Sequence, residues 1–167
     1  MTAKKWIDAD VSLSALDNKT IAVIGYGIQG RAQALNLKDS GINVIVGLRR
    51  DGSTWKIAEN DGQSVAEVST AAKQADIIHI LVPDMEQTSV YRKDMFNSLS
   101  EGKVLCFSHG AAIHWKWIEP PTNVDVIMVA PKGPGQRVRE LYQEGFGTPS
   151  LVAVYQDYTG KALDIVL

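Results

Sequence analysis

Cysteine, histidine and long apolar runs are all scarce in this 167-residue chain. The lone thiol, Cys106, excludes an intramolecular disulfide. Without a Cys/His cluster beside it, nothing suggests a structural zinc site. A reducing compartment, the cytoplasm, is the expected location. No apolar stretch approaches the ~20 residues that a membrane-crossing helix needs, so no membrane partner is expected. The opening residues, MTAKKWIDAD, carry no apolar run behind their lysines and do not read as a leader. Charge of one sign is also lacking: 17 Lys and Arg face 19 Asp and Glu, a net charge of −2. That balance argues against a nucleic-acid partner, which would need clustered positive charge. The HExxH and GxSxG signatures are absent, so no metal site is expected on this chain. Six prolines and 14 glycines, without a period, exclude a fibrous or low-complexity chain. What remains, 45% hydrophobic and 22% charged, is ordinary globular composition. Residues 1–167 are expected to form one domain.

Six short apolar runs are present: Thr20–Gly25, Asn43–Leu48, Asp76–Pro83, Lys103–Ser108, Val124–Pro131 and Ser150–Tyr155. Each is nearly continuous rather than alternating, the pattern of a strand buried on both faces. Helical segments are expected between them, at Ile28–Gly41, Thr54–Asn60, Val68–Gln74, Glu86–Leu99 and Gly133–Gly145. Gly41 suits the end of the first and Pro134 the start of the last. Alternating strand and helix predicts an α/β fold, a Rossmann-like, doubly wound and mostly parallel sheet with helices on both faces. Residues Trp6–Leu16 are expected to pack across the domain ahead of the first strand. A last helix is expected over Thr159–Leu167, with Thr159 as its N-cap and Leu163, Ile165, Val166 and Leu167 left partly exposed. Its apolar side chains still accumulate at Leu167, the pattern of a chain that continues into another module. Self-association through that apolar surface is therefore expected.

The strongest local signal is Gly25-x-Gly27-x-x-Gly30, directly after a strand and opening a helix. The first glycine permits the tight turn, the second lets backbone approach a pyrophosphate, and the third lets helix and strand pack closely. Backbone N–H groups at the helix start would hold the phosphates. The second strand ends in Arg49, Arg50, Asp51, Gly52, Ser53 and Thr54. Two guanidiniums and two hydroxyls on one turn suit a 2′-phosphate. Asp51 on the same turn would tolerate a bare ribose, so NADP is the expected cofactor and NAD stays open.

Ligands of open α/β sheets bind outside the carboxyl ends of the strands. Three more strand ends are expected on that rim: Asp84, Met85, Glu86 and Gln87; then His109 and Gly110; then Lys132 to Gly135. His109 could act in proton transfer or serve structure alone. Lys132, braced by Pro131 and Gly133, would aim an ammonium at an anionic ligand or remain solvated. His79 and Cys106 fall mid-strand and read as core residues, and His114 lies among packing tryptophans.

The segments IAVIGYGIQGRAQALNLKDSG, VGLRRDGSTWKIAENDG, LVPDMEQ, FSHG, VIMVAPKGPG, VRELYQEGFGTPSLVAVYQD and TGKAL occur in this order. Together they resemble the N-terminal, NADP-binding domain of the ketol-acid reductoisomerases, from about Asp8 to Leu167. The resemblance implies an NADP-dependent oxidoreductase of valine, isoleucine and leucine biosynthesis. Its substrate would be 2-acetolactate or 2-aceto-2-hydroxybutyrate, rearranged with Mg²⁺ and reduced to the 2,3-dihydroxy acid. It implies that Tyr26, Gly27, Ile28 and Gln29 line the pyrophosphate and nicotinamide side. Arg49 and Ser53, with Arg50 or Thr54, would hold the 2′-phosphate. Asp84 through Gln87 would run along the cofactor and Gly135 would lie near the nicotinamide. His109 and Lys132 match the family's active-site histidine and lysine. The family's helical C-terminal domain, which supplies the carboxylates for Mg²⁺, has no counterpart here. This chain alone is therefore expected to bind NADP(H) without turnover. The sequence departs from the family at Ala111 and Ala112, where an aromatic-polar pair usually follows the SHG. Two other readings compete: a non-catalytic dinucleotide-binding module that needs a partner chain, and a β-hydroxyacid-type dehydrogenase, against which the SHG and PKGPG segments argue.

Overall fold

A computed structural model describes residues 4–167. Seven strands form one sheet in the order β3-β2-β1-β4-β5-β6-β7. They are β1 (Thr20–Ile24), β2 (Asn43–Leu48), β3 (Ser64–Glu67), β4 (Ile77–Ile80), β5 (Val104–Phe107), β6 (Asp125–Pro131) and β7 (Ser150–Gln156). The first six run parallel and β7 pairs antiparallel to β6. The chain order reverses between β1 and β4, the switch point at which open sheets bind ligands. Around the sheet lie α1 (Ile28–Asp39), α2 (Trp55–Asn60), α3 (Val68–Gln74), α4 (Asp84–Val90), α5 (Ala111–His114), α6 (Gly135–Gln143) and α7 (Ala162–Val166). Among the described residues no helix is long and apolar enough to cross a membrane.

Side chains alternate across the pleat and divide the core in two. Ala22, Ile24, Ile78, Ile80, Leu105 and Phe107 face α3 and the turns after α4. Ile21, Val23, Ile77, Val104 and Cys106 face the side of α1, α2 and α7. Leu105 and Phe107 are almost wholly buried. Each such side chain contributes about 1.5–3 kcal/mol by leaving water. Helix α1 ends as Gly41 suggests: at φ +83 the Gly41 N–H reaches Lys38 O at 2.9 Å and the Ile42 N–H reaches Leu37 O at 3.1 Å. This pair of bonds satisfies two carbonyls that the helix end would otherwise leave open.

The structure departs from the sequence reading at five places. β3 has no continuous apolar run; it is an edge strand with only Val65 and Ala66 partly covered. β7 is apolar yet lies largely exposed, with Leu151 and Tyr155 more than half accessible. As an antiparallel edge strand it is covered on one face only, where Val152 packs toward the core beside α7. The helix expected over Glu86–Leu99 is α4 starting at Asp84, followed by a π turn (Tyr91–Met95) and a 3₁₀ turn (Phe96–Ser98). A further short helix, α5, follows His109. The last helix starts at Ala162, not Thr159. The reason is Asp125, fully buried at the start of β6. Its carboxylate accepts the Tyr158 N–H (2.7 Å), the Thr159 N–H (2.9 Å) and the Thr159 hydroxyl (2.6 Å), holding these residues in a turn. Helical spacing then places Ala162 and Val166 on the sheet, so Val166 is buried while Leu163 stays exposed. Residues 6–16, expected to pack across the domain, form two 3₁₀ turns, Asp8–Asp10 and Leu13–Leu16, that bury no residue fully.

His79 and Cys106 are neighbours on β4 and β5, both buried. Burial pushes the Cys106 thiol up to about 12, leaving it inert. Burial pushes His79 down to about 4, so it is neutral, with Nε2 at 3.1 Å from the Ser108 hydroxyl. An unfolded histidine takes its proton near 6.5, well before the folded one does. Stability is therefore complete above pH 6.5 and falls as the pH drops toward 4. The slope is at most about 1.4 kcal/mol per pH unit. Denaturation of His79→Gln against the parent at pH 7 and pH 4.5 should show a shallower acid loss in the variant; identical acid limbs would contradict this.

Candidate dinucleotide site

A cleft of about 450 Å³ opens at the carboxyl ends of β1, β2 and β4. Gly25, Tyr26, Gly27, Ile28 and Gln29 form one wall, and Arg49 and Thr54 stand at its β2 end. The three loop glycines have different reasons to be glycine. Gly25 sits at φ +103, where a Cβ would come within 2.9 Å of the Leu81 carbonyl. A Cβ on Gly30 would lie 2.3 Å from the Gly25 carbonyl oxygen. A Cβ on Gly27 would meet no atom of the chain within 4 Å. Packing explains the first and third, whereas the second leaves its room to whatever occupies the cleft. The first turn of α1 begins there, and its leading N–H groups have no carbonyl four residues back to bond. That cradle, next to a guanidinium and a hydroxyl, fits a dinucleotide phosphate.

The loop is held from below. The Tyr26 ring is buried and its hydroxyl donates to Asp61 Oδ2 at 2.9 Å. Arg31 grips the same carboxylate with two bonds, Nε to Oδ2 at 2.7 Å and Nη2 to Oδ1 at 2.9 Å. The Arg31 bonds hold the Asp61 carboxyl below the usual range. Burial, and then the bond to Asp61, raises the Tyr26 phenol above its ordinary value. Asp61 lies after α2 and gave no signal in the sequence.

The turn after β2 divides its residues. Arg49 lines the cleft. Arg50 leans the other way, its Nη1 at 3.8 Å from Glu67 Oε1 at the end of β3. Ser53 is exposed beside Thr54. The Gly52 N–H to Arg49 O bond, at 2.9 Å, closes the turn.

The β4 and β5 ends meet in a second group. His109 Nδ1 lies 2.7 Å from Asp84 Oδ2. The other Asp84 oxygen accepts from Gln87 Nε2 at 3.1 Å, and Gln87 also donates to the Val82 carbonyl. Gln87 is thus buried within its own turn, while Met85 and Glu86 point outward. With Nδ1 bound by a carboxylate, the His109 ring keeps Nε2 for a proton at the rim.

The β6 end joins the loop directly. Gln29 Nε2 donates to the Gly133 carbonyl at 2.8 Å. Gly135, at the start of α6, presses on the head of α1, where a Cβ would lie 2.2 Å from the Ile28 carbonyl oxygen. Lys132 is exposed, its N–H held by Pro149 O at 2.8 Å. Among the described residues no group of three His, Cys, Asp or Glu side chains could hold a metal ion.

Comparison with known proteins decides the family. The profile of the acetohydroxy acid isomeroreductase NADPH-binding domain matches residues 15–167. The chain belongs to that family. It is 62% identical over 165 residues to the ketol-acid reductoisomerase (NADP(+)) of Nitrosopumilus maritimus, covering 99% of this chain and 50% of that protein. A solved NADH-preferring ketol-acid reductoisomerase from an uncultured archaeon superposes with a TM-score of 0.94 at 50% identity, over 96% of this chain and 50% of that one. The chain spans about half the length of both relatives. The 3-hydroxyisobutyrate dehydrogenase of Mycobacterium tuberculosis shares the fold alone, with a TM-score of 0.62 at 15% identity over 88% of this chain and 50% of that one.

The α1–α6 approach yields a direct test. Gly135→Ala forces a methyl against backbone, which cannot yield as a side chain can. A loss of roughly 1–3 kcal/mol is expected, measured by urea denaturation. A neutral outcome would show that the two helices are not in backbone contact.

Proposed function

We propose that this chain is the NADPH-holding half of an enzyme that rearranges 2-acetolactate or 2-aceto-2-hydroxybutyrate and reduces the product to a 2,3-dihydroxy acid. Membership of the isomeroreductase family supports the reaction class. The observation that carries the cofactor reading is the Gly27 cradle at the head of α1 with Arg49 and Thr54 at its far end. In this reading the loop amides and Gln29 hold the pyrophosphate side. Arg49, with Thr54 and Ser53, reads the 2′-phosphate by charge-assisted bonds. Bound NADPH supplies a hydride to the carbonyl of the substrate. His109 holds or moves a proton at Nε2, oriented by Asp84, and the Lys132 ammonium faces the anionic substrate. Carboxylates for Mg²⁺ come from outside these residues, so the chain by itself binds cofactor without turnover.

NADH is the second reading, favoured by the Arg50–Glu67 pair, which draws one guanidinium away from the turn, and by Asp51. Titrating the chain with NADPH and NADH, followed by Trp55 fluorescence, separates the two. NADPH should bind at least about tenfold more tightly, the difference of roughly 1.4 kcal/mol that one charge-assisted bond supplies. Arg49→Ala should remove most of that preference while leaving NADH affinity little changed. Equal binding of both cofactors by the parent would overturn the NADP reading, and binding of neither would overturn the cofactor role.

A further inference from the structure

Four side chains and one carbonyl run in an unbroken line beneath the rim. His79 Nε2 lies 3.1 Å from Ser108 Oγ. Gln33 Nε2 donates to Ser108 Oγ at 3.4 Å and to Gln29 Oε1 at 3.1 Å. Gln29 Nε2 donates to the Gly133 carbonyl. The direction of the line follows from the donors. The Gln33 amide has two N–H groups and spends one on each neighbour. Ser108 accepts from Gln33 and shares a further bond with Nε2 of the neutral His79, whose direction is set by the ring tautomer.

Gln33 is an unexpected residue for its place. It lies one turn down α1 from Gln29, nine-tenths buried. It faces a cleft of about 550 Å³ whose wall is otherwise largely apolar, including Leu37, Ile77, Cys106, Ile127 and Val129. An amide buried in such a wall is unfavourable unless its bonds are made, and a leucine would serve packing as well. One of the two bonds that Gln33 makes crosses from α1 to the end of β5, and the other stays within α1, reaching Gln29, which itself bonds the β6–α6 connection. One goes to the residue before His109, and the other goes through Gln29 to the residue after Lys132.

We propose that Gln33 is a positioning residue that registers the phosphate loop against both rim segments, the β5 end carrying His109 and the β6–α6 connection carrying Lys132. Gln33 lines no part of the dinucleotide cleft and touches no reacting group; it acts through Ser108 and Gln29. Its functional weight rests on the cofactor reading above, whereas the registration is a property of the chain itself.

The test is Gln33→Leu in the 167-residue chain, with Gln33→Met as the substitute should leucine prevent folding. Amide ¹H–¹⁵N spectra of the cofactor-free chain should shift at Ser108–Gly110 and at Gly133–Gly135 as strongly as in the turn around residue 33. Ser108→Ala should move the first segment and leave the second in place, because it cuts only one arm. NADPH affinity of Gln33→Leu should fall roughly three- to tenfold, the effect of one or two lost hydrogen bonds, with the denaturation midpoint close to the parent's. Shifts confined to α1, or Ser108→Ala moving both segments alike, would overturn the proposal. Failure of the parent to bind NADPH would instead remove the cofactor reading, and the cofactor-free spectra would still decide the registration.

Discussion

Backbone meeting backbone at the head of α1 is the constraint from which the rest of the rim follows. Three peptide segments converge there without side chains between them. Gly25 lies against Leu81 O, Gly30 against Gly25 O, and Gly135 against Ile28 O. A methyl group at any of the three would collide with atoms that are themselves fixed by sheet or helix. Close packing at that point brings the ends of β1, β4 and β6 to one edge. It also points the leading N–H groups of α1 into the cleft between β1 and β2. A dinucleotide site therefore exists as a consequence of how tightly the elements approach, before any charged residue is added.

Polar groups then divide the labour around that head. Below the loop, Asp61 ties the Tyr26 hydroxyl to Arg31 and brings in the turn after α2. To one side, Asp84 orients His109. To the other, Gln29 holds the Gly133 carbonyl. Each contact is individually modest, since a typical net hydrogen bond is worth about 1 kcal/mol. Their value lies in fixing where the neighbouring functional groups stand. The face of β7 that carries Leu151 and Tyr155 remains outside this arrangement and exposed.

Much of the fold was legible in the chain because burial on both faces leaves a mark. β1, β2, β4, β5 and β6 are short continuous apolar runs, and the structure has a strand in each. β3 left no such mark, since an edge strand needs only Val65 and Ala66 covered. β7 carried the mark misleadingly, being apolar along a strand that this chain leaves open. The start of α7 was misjudged because Thr159 reads as an N-cap locally, while its hydroxyl is taken by Asp125 from 34 residues earlier. Local propensity has no means of anticipating a long-range acceptor.

In the candidate site the same division holds. The sequence by itself determined the Gly25–Gly30 loop, the basic turn after β2 and the presence of His109 and Lys132 at strand ends, because each depends on residue type and short spacing. Tertiary structure alone decided which of these meet. Arg49 turns toward the cleft while Arg50 turns toward Glu67; Asp84 meets His109; Gly135 is glycine because the Ile28 carbonyl lies against it. Asp61 and Gln33 were invisible in the sequence for the same physical reason. Their long-range partners lie 30 to 75 residues away, and a hydrogen bond depends on distance in space, which one-dimensional spacing does not record.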